Sequence, residues 1–327
     1  MSESVDLNEA VSCRRGCVEP GWKAAVALPA TCGELAQGTL DGVPCLISCP
    51  IDRYGIAEVE VRTCSGWDLP SDAQKAVAAL RAGLKRLRRG SHGGRLHLIS
   101  DLPRGRGYAS STVDVGATLY ALGEALGAPL PPAEVARLAI GVEPSDGTIF
   151  PGLVLFDHRG GSFCEELGTA PVLGVVGIDP GGAVDTLHFN RRDNRETLRA
   201  LAPRHREAFA LVIDGLSRGD GHSLGAGATI SATAHQAILF NGLLERAFAV
   251  GREVGALGVC RAHSGTLLGL LLDPLCADMP EIVRFVQRRF DGLAEVRAYT
   301  LVGGGPRPAA VEEFRQRRLG MPEAEPR

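Results

Sequence analysis

Ten residues at positions 103–112, P-R-G-R-G-Y-A-S-S-T, restrict this chain more than any other segment. They lie between R-L-H-L-I-S at 95–100, which reads as a strand, and an apolar run at 110–126 that predicts a helix. A strand, a glycine loop and a helix in that order build an anion site. Glycines at 105 and 107 let the backbone approach a charged group closely, and the first N–H groups of the helix supply donors at the positive end of its dipole. Arg104 and Arg106 would offset phosphate charge, while Ser110 and Ser111 would add hydroxyl donors or a magnesium contact. Pro103, Tyr108 and Ala109 complete the expected cradle for the phosphates of ATP. Taken alone, the same residues also describe a turn at Gly107 and a helix capped by Ser110 with no ligand. No G-x-x-x-x-G-K-[S/T] occurs in the chain, which excludes a Walker loop. G-R-G-Y-A-S competes as a dinucleotide fingerprint, but the nearest suitably spaced acid, Glu124, belongs to the helix itself rather than to a following strand.

Strand and helix signals mix along the chain without strict alternation, so an α+β fold of two domains is expected rather than a doubly wound sheet. The 327 residues suffice for two cores. Residues 1–22 read as an irregular arm. An N-terminal domain, 23–165, opens β-rich: A-A-V-A-L-P-A and V-P-C-L-I-S-C-P read as short strands joined through the glycine-bearing stretch 33–42, and 56–61 alternates as another. Residues 71–89 predict a helix with Ser71 as its cap, and a further helix should follow Pro132. E-P-S-D-G-T is a turn by composition. Past the glycine-bearing stretch 160–168, a C-terminal domain of mixed α and β, 166–315, is expected, then a tail at 316–327. Its strands are expected at 172–178 and 211–213 and in Y-T-L-V-G-G-G-P, its helices over 228–250 and 280–290. One short helix is expected after Pro306.

Apolar residues at 45%, charged residues at 22% and a net charge of −3 describe an ordinary globular balance, with no general electrostatic pull toward nucleic acid or an anionic membrane. Neither partner is expected; a small-molecule substrate is. No run of about eighteen apolar residues is present, and the start M-S-E-S-V-D-L-N-E-A lacks a signal-peptide pattern, so a cytoplasmic location is expected. Nine cysteines without a Cys-x-x-Cys pair read as reduced thiols. The four-residue steps Cys13/Cys17 and Cys45/Cys49 would suit a metal on a helix, yet Ser48 and Pro50 argue for loop or strand around the second pair. Lys23, Lys75 and Lys85 are the only lysines.

The loop at 103–112 resembles the second motif of the GHMP kinases, P-x-x-x-G-L-x-S-S-A, matched at Pro103, Gly107, Ser110 and Ser111, with departures at Tyr108 and Thr112. P-A-T-C-G-E-L-A-Q-G at 29–38 resembles their first motif, with Glu34 in the acidic position, and A-H-S-G-T-L-L-G at 262–269 their third. C-G-E-L-A-Q-G, V-E-P-S-D-G-T, D-T-L-H-F-N and A-H-S-G-T together resemble the branch of that family that phosphorylates L-threonine for cobalamin biosynthesis, over about residues 24–305. The resemblance implies an ATP- and magnesium-dependent transfer to the L-threonine hydroxyl. An acceptor such as homoserine, or a non-catalytic nucleotide-binding regulator, is the alternative.

Glu143 and Asp146 lie three apart in V-E-P-S-D-G. By the resemblance, Asp146 would accept or orient the hydroxyl proton, and Glu143 with Ser111 would hold magnesium; some family members work without an acidic base. A turn-forming Asp before Gly147 and a solvated helix end are the competing readings. Glu34 and Gln37 are candidates to read an ammonium group, or to brace the fold by hydrogen bonds. His263, Ser264 and Gly265 would close the phosphate or acceptor pocket. Asp185, with Asn190 and Arg191, is a further acceptor candidate, since arginine grips a carboxylate through two parallel bonds.

Overall fold

Two strands of about twenty residues each form the spine of the molecule. The computed structural model describes residues 22–63, 65–182 and 194–309. β1 (Trp22–Leu40) and β2 (Val43–Arg62) run antiparallel and turn at Asp41 and Gly42, both with positive φ. An Asp-Gly pair suits this because a tight hairpin needs left-handed backbone at both central positions. The short strands expected here are therefore one long hairpin. Pro29 and Gly33 do not end β1, because register shifts at Pro29/Thr31, Thr31/Glu34 and Glu34/Ala36 absorb the irregularity while pairing continues.

After β3 (Trp67–Asp68), α1 spans Gln74–Arg86. Its N-cap is Ala73, without a side-chain bond, and not the expected Ser71, whose carbonyl instead accepts from Gln74 Nε2. β4 (Gly93–Ile99) leads through the glycine loop into α2 (Ser110–Ala125). Twelve of the sixteen α2 residues are buried, so this helix is packed nearly all round, against β1, β2 and α1. α3 (Pro132–Ile140) places Pro132 in its first turn, where the missing N–H has no helical partner to lose. The 3-10 turn Gly147–Ile149, β5 (Leu153–Phe156) and β6 (Cys164–Gly168) follow.

The remainder comprises β7 (Gly174–Asp179), α4 (Arg195–Arg218), α5 (Gly221–Ala234), α6 (Leu244–Glu253), β8 (Gly258–Arg261), β9 (Leu268–Leu272), α7 (Met279–Arg289), β10 (Glu295–Thr300) and β11 (Arg307–Pro308). The expected strand at 211–213 lies inside α4. His205, Ala208, Phe209, Val212 and Gly215 are the buried residues of that helix, a period of three to four that seats one face and overrides the β-branched pair Val212-Ile213. Of the expected arm at 1–22, Trp22 opens β1 and the rest lies outside the described residues, as do Asp185 with Asn190 and Arg191, and the short helix after Pro306 beyond residue 309.

All the described strands join one sheet, ordered β10-β7-β9-β8-β1-β2-β4-β3, with β5, β6 and β11 attached beside that path. The fold is α+β. β1 meets β8 through Glu34 and Arg261, so segments more than two hundred residues apart become neighbours at the middle of the sheet. One core lies between the β1–β2 hairpin and α2; a second gathers β7, β9, α6 and α7. Cys45 and Cys49 are buried on β2, in a strand rather than on a helix. Among the described residues no helix is long and apolar enough to cross a membrane.

Candidate active site

The glycine loop does not stand alone. Its backbone is tied on one side to β1, where Thr31 N–H donates to Tyr108 O, and Gly33 N–H and Thr31 Oγ1 donate to Gly107 O at 3.1 and 3.0 Å. On the other side, Thr266 and Leu267 N–H both donate to Arg106 O, at 3.0 and 2.9 Å. Gly107 has φ +104°, and a Cβ there would lie 2.0 Å from Ala262 Cβ, so neither its conformation nor its space admits a side chain. Ala109, in the left-handed region, starts α2 without a side-chain cap. The first N–H groups of α2 are left without a capping side chain beside a cavity of about 470 Å³. Gly105, Gly107, Tyr108, Ala109, Ser110 and Ser111 line that cavity, as does Arg104, which is held by the Asp72 carbonyl and the Asp114 carboxylate.

A second wall carries the acids. Lys75 Nζ, in the first turn of α1, lies 2.5 Å from Glu143 Oε2 and 3.1 Å from Ser111 Oγ. Glu143 Oε1 is buried without a hydrogen-bond partner among the described residues, an unsatisfied acceptor. Three residues on, Asp146 accepts from Ser48 Oγ at 3.5 Å and Thr112 Oγ1 at 3.3 Å, while its own N–H donates to Thr112 Oγ1. Burial, then the charges of Glu34 and Glu143, push the Asp146 carboxyl up to about 7 against the two hydroxyl bonds. Burial likewise pushes Asp114 up to about 6, opposed by Arg104.

Glu34 closes the cavity from the sheet. Oε2 accepts from the His263 N–H and from Nδ1, each at 2.9 Å. Burial holds the His263 ring neutral, so Nε2 is left to accept from Ser231 Oγ at 3.2 Å, and that hydroxyl accepts in turn from the Gln37 N–H. Burial also pushes Glu34 up to about 8.

The structure thus brings Glu34, Gln37, Arg104, Gly105, Gly107 to Ser111, Glu143, Asp146 and Ser264 to one cavity. It places four other candidates behind the wall. Arg106 pairs with Asp179 at 3.2 Å, His263 braces Glu34, Gly265 packs on the Arg106–Gly107 backbone, and Pro103 does not line the cavity. Sequence reasoning passed over Lys75, Asp114 and His158, which all line it. Lys75 did carry a signal: it is one of three lysines, and a cation in a helix's first turn opposes the dipole.

An uncapped helix start and a glycine loop thus share one cavity with a buried acid of raised pKa. A family model described as the GHMP kinases N terminal domain matches residues 73–150. The L-threonine kinase of Citrobacter freundii is 32% identical over 253 residues, 76% of this chain and 86% of that protein. That of Salmonella typhimurium is 30% identical over 257 residues, 77% and 84% of the two chains. Homoserine kinase from Cytophaga hutchinsonii superposes with a TM-score of 0.69 at 17% identity, covering 91% of this chain and 100% of that one. Mevalonate kinase of L. major, in complex with R-mevalonate, gives 0.63 at 16%, covering 88% and 97%. At such identities the two structures speak for the fold. This chain belongs to the GHMP kinase family and is a small-molecule kinase.

Proposed function

We propose that the protein transfers the terminal phosphoryl group of ATP to the side-chain hydroxyl of L-threonine, releasing ADP and O-phospho-L-threonine, a precursor of the aminopropanol linker of cobalamin. The observation that carries the reading is that Asp146 and the glycine loop line the same cavity, in a chain whose curated relatives are L-threonine kinases. The residues fit a magnesium–nucleotide pair: Glu143 Oε1, without a partner among the described residues, and Ser111 Oγ, beside Lys75, offer oxygens for the cation, and the uncapped start of α2 offers N–H donors for phosphate oxygens. When bound, magnesium offsets charge on those oxygens.

The chain's own residues do the rest. Gly105 and Gly107 keep side chains out of the cradle, and Lys75 and Arg104 add positive charge at its edge. Asp146, held by Ser48 and Thr112, takes the proton of the attacking hydroxyl as the oxygen–phosphorus bond forms and the bond to ADP breaks. A carboxyl near 7 is ionised enough to accept and basic enough to hold that proton.

The test is ADP release with MgATP across L-threonine, L-serine, L-homoserine and mevalonate, with product masses. Turnover concentrated on L-threonine is expected. Preference for another alcohol would refute the acceptor, and ATP binding with no turnover on any of them would refute the enzyme reading in favour of a regulator.

A further inference from the structure

Along β1, the distance from the phosphate loop grows with residue number. Gly33 touches Gly107, and Gln37 lies four residues on, roughly 13 Å away at strand rise. The register shift between Glu34 and Ala36 turns Glu34 and Gln37, three apart, toward the same cavity, where an unbroken strand would send them to opposite faces. The Gln37 main chain is fixed by its N–H, which donates to Ser231 Oγ at 3.0 Å. Opposite Gln37 stands Leu46, and Leu46 pairs with Phe156 of β5, two residues before His158. Glu34, Gln37, Leu46 and His158 all line the cavity, Gln37 and Leu46 as a cross-strand pair and His158 just past the β5 residue that pairs with Leu46.

His158 is unlike an ordinary core histidine. It is 7% exposed, and its Nδ1 has no hydrogen-bond partner among the described residues. A neutral imidazole carries one N–H and one lone pair, and the tautomer with its hydrogen on Nε2 makes Nδ1 an acceptor. Burial holds the pKa down to about 4, so the ring carries no charge to repel a cation. The backbone around it is stapled: the Asp157 carboxylate accepts from the N–H groups of Arg159, Gly160 and Ser162 and from the Ser162 hydroxyl, and His158 O accepts from Ser145 N–H beside Asp146. A rigidly held acceptor, buried and unsatisfied, is destabilising unless something donates to it.

We propose that His158 Nδ1 is the third acceptor of an ammonium cradle, joining the Glu34 carboxylate and the Gln37 amide oxygen to read the α-amino group of the acceptor substrate. The inference rests on the amino-acid acceptor proposed above. An ammonium offers three N–H donors, and these three side chains offer one acceptor each. A hydroxyl in the same place offers one donor, so the cradle selects amino acids over hydroxy acids of equal size. Glu34, protonated in part at neutral pH by its burial, is drawn toward its ionised form by the arriving cation.

The test compares wild type, His158→Phe and His158→Asn, with L-threonine and with the 2,3-dihydroxybutanoate that replaces its amino group by hydroxyl. Phe keeps a ring without the nitrogen; Asn keeps an acceptor oxygen near the Nδ1 position. For His158→Phe, KM for L-threonine should rise about ten- to a hundredfold, the range for losing a bond to a charged group, while kcat and KM for MgATP stay within about threefold. Preference for L-threonine over the hydroxy acid should fall by the same factor, and His158→Asn should keep most of it. An unchanged KM in the Phe variant overturns the proposal. So does equal impairment of both variants with KM for MgATP shifted as well, since that is the mark of a structural role. Should the Phe variant not fold, the ¹⁵N shift of His158 Nδ1 in the wild type decides: it moves on adding L-threonine if Nδ1 gains a donor, and a fixed shift overturns the assignment. Wild type that phosphorylates alcohols but no amino acid defeats the acceptor reading and this inference together; L-threonine turnover with an unaltered Phe variant defeats the inference alone.

Discussion

Replacing Asp146 by Asn should separate the stability of this protein from its activity. In the folded chain the carboxyl sits near 7, against 3.8 in an unfolded chain, because burial and the charges of Glu34 and Glu143 oppose ionisation. A raised carboxyl favours folding only while protonated; that contribution is complete below pH 3.8 and is lost as pH rises through 7. Three units correspond to about 4 kcal/mol of destabilisation at pH 8 and under 2 kcal/mol at pH 5. Water in the cavity, which Asp146 faces, reduces both figures by about half. Asn carries no charge and can still accept from Thr112 or Ser48, so Asp146→Asn should be more stable by about 2 kcal/mol at pH 8 and by about 1 kcal/mol at pH 5. In a protein of this size that is a Tm gain of about 4 °C at pH 8, shrinking on acidification. The same variant should lose about 10²- to 10⁴-fold in kcat, the usual worth of a positioned base. Wild-type kcat/KM should fall about tenfold per pH unit below 7, and the residual activity of the variant should not. Thermal unfolding at the two pH values, beside a pH–rate profile, makes the check. A Tm for the variant below wild type at pH 8, or a difference that does not shrink by pH 5, would refute the electrostatic argument.

Two further substitutions probe the cradle. Lys75→Met removes the cation 3.1 Å from Ser111 and 2.5 Å from Glu143; kcat/KM for MgATP should fall roughly ten- to a hundredfold with little change in Tm, and steady-state kinetics showing no loss would remove Lys75 from the site. Gly107→Ala forces a Cβ onto Ala262 at a left-handed φ, so unfolding by denaturant should show destabilisation on the order of 2–4 kcal/mol, with loss of thermal protection by ATP.

The sequence announced the half of the site that is built from neighbours. The glycine loop and the helix after it are contiguous, and Glu143 and Asp146 lie on one turn, so spacing and residue type are enough to read them together. His158 was silent and Lys75 gave only a faint signal, because each reaches the cavity through packing between elements: α1 lies against α2, and β5 pairs with Leu46 of β2. Arg106 misled for the complementary reason. It stands in the loop by sequence, yet its guanidinium finds Asp179 on β7, a partner no local pattern reveals. In the fold, the stretch 33–42 was read as a connection between two short strands, whereas three successive register shifts carry β1 through Gly33 and on to Leu40. The segment 211–213 was read as a strand from two β-branched residues, and the longer period of buried positions in α4 decided otherwise.

The braces on the phosphate loop bear on how the protein is made. Arg106 O is held by Thr266 and Leu267, and Gly107 is wedged against Ala262, whereas the family model match ends at residue 150. A ribosome that has completed the matched segment has delivered the loop, its helix and the β1 side of its bracing, but not the connection between β8 and β9 that braces the other side. The nascent chain therefore holds its most recognisable piece unfinished for more than a hundred further residues, and the loop takes its final shape late in synthesis, when the connection between β8 and β9 closes over it.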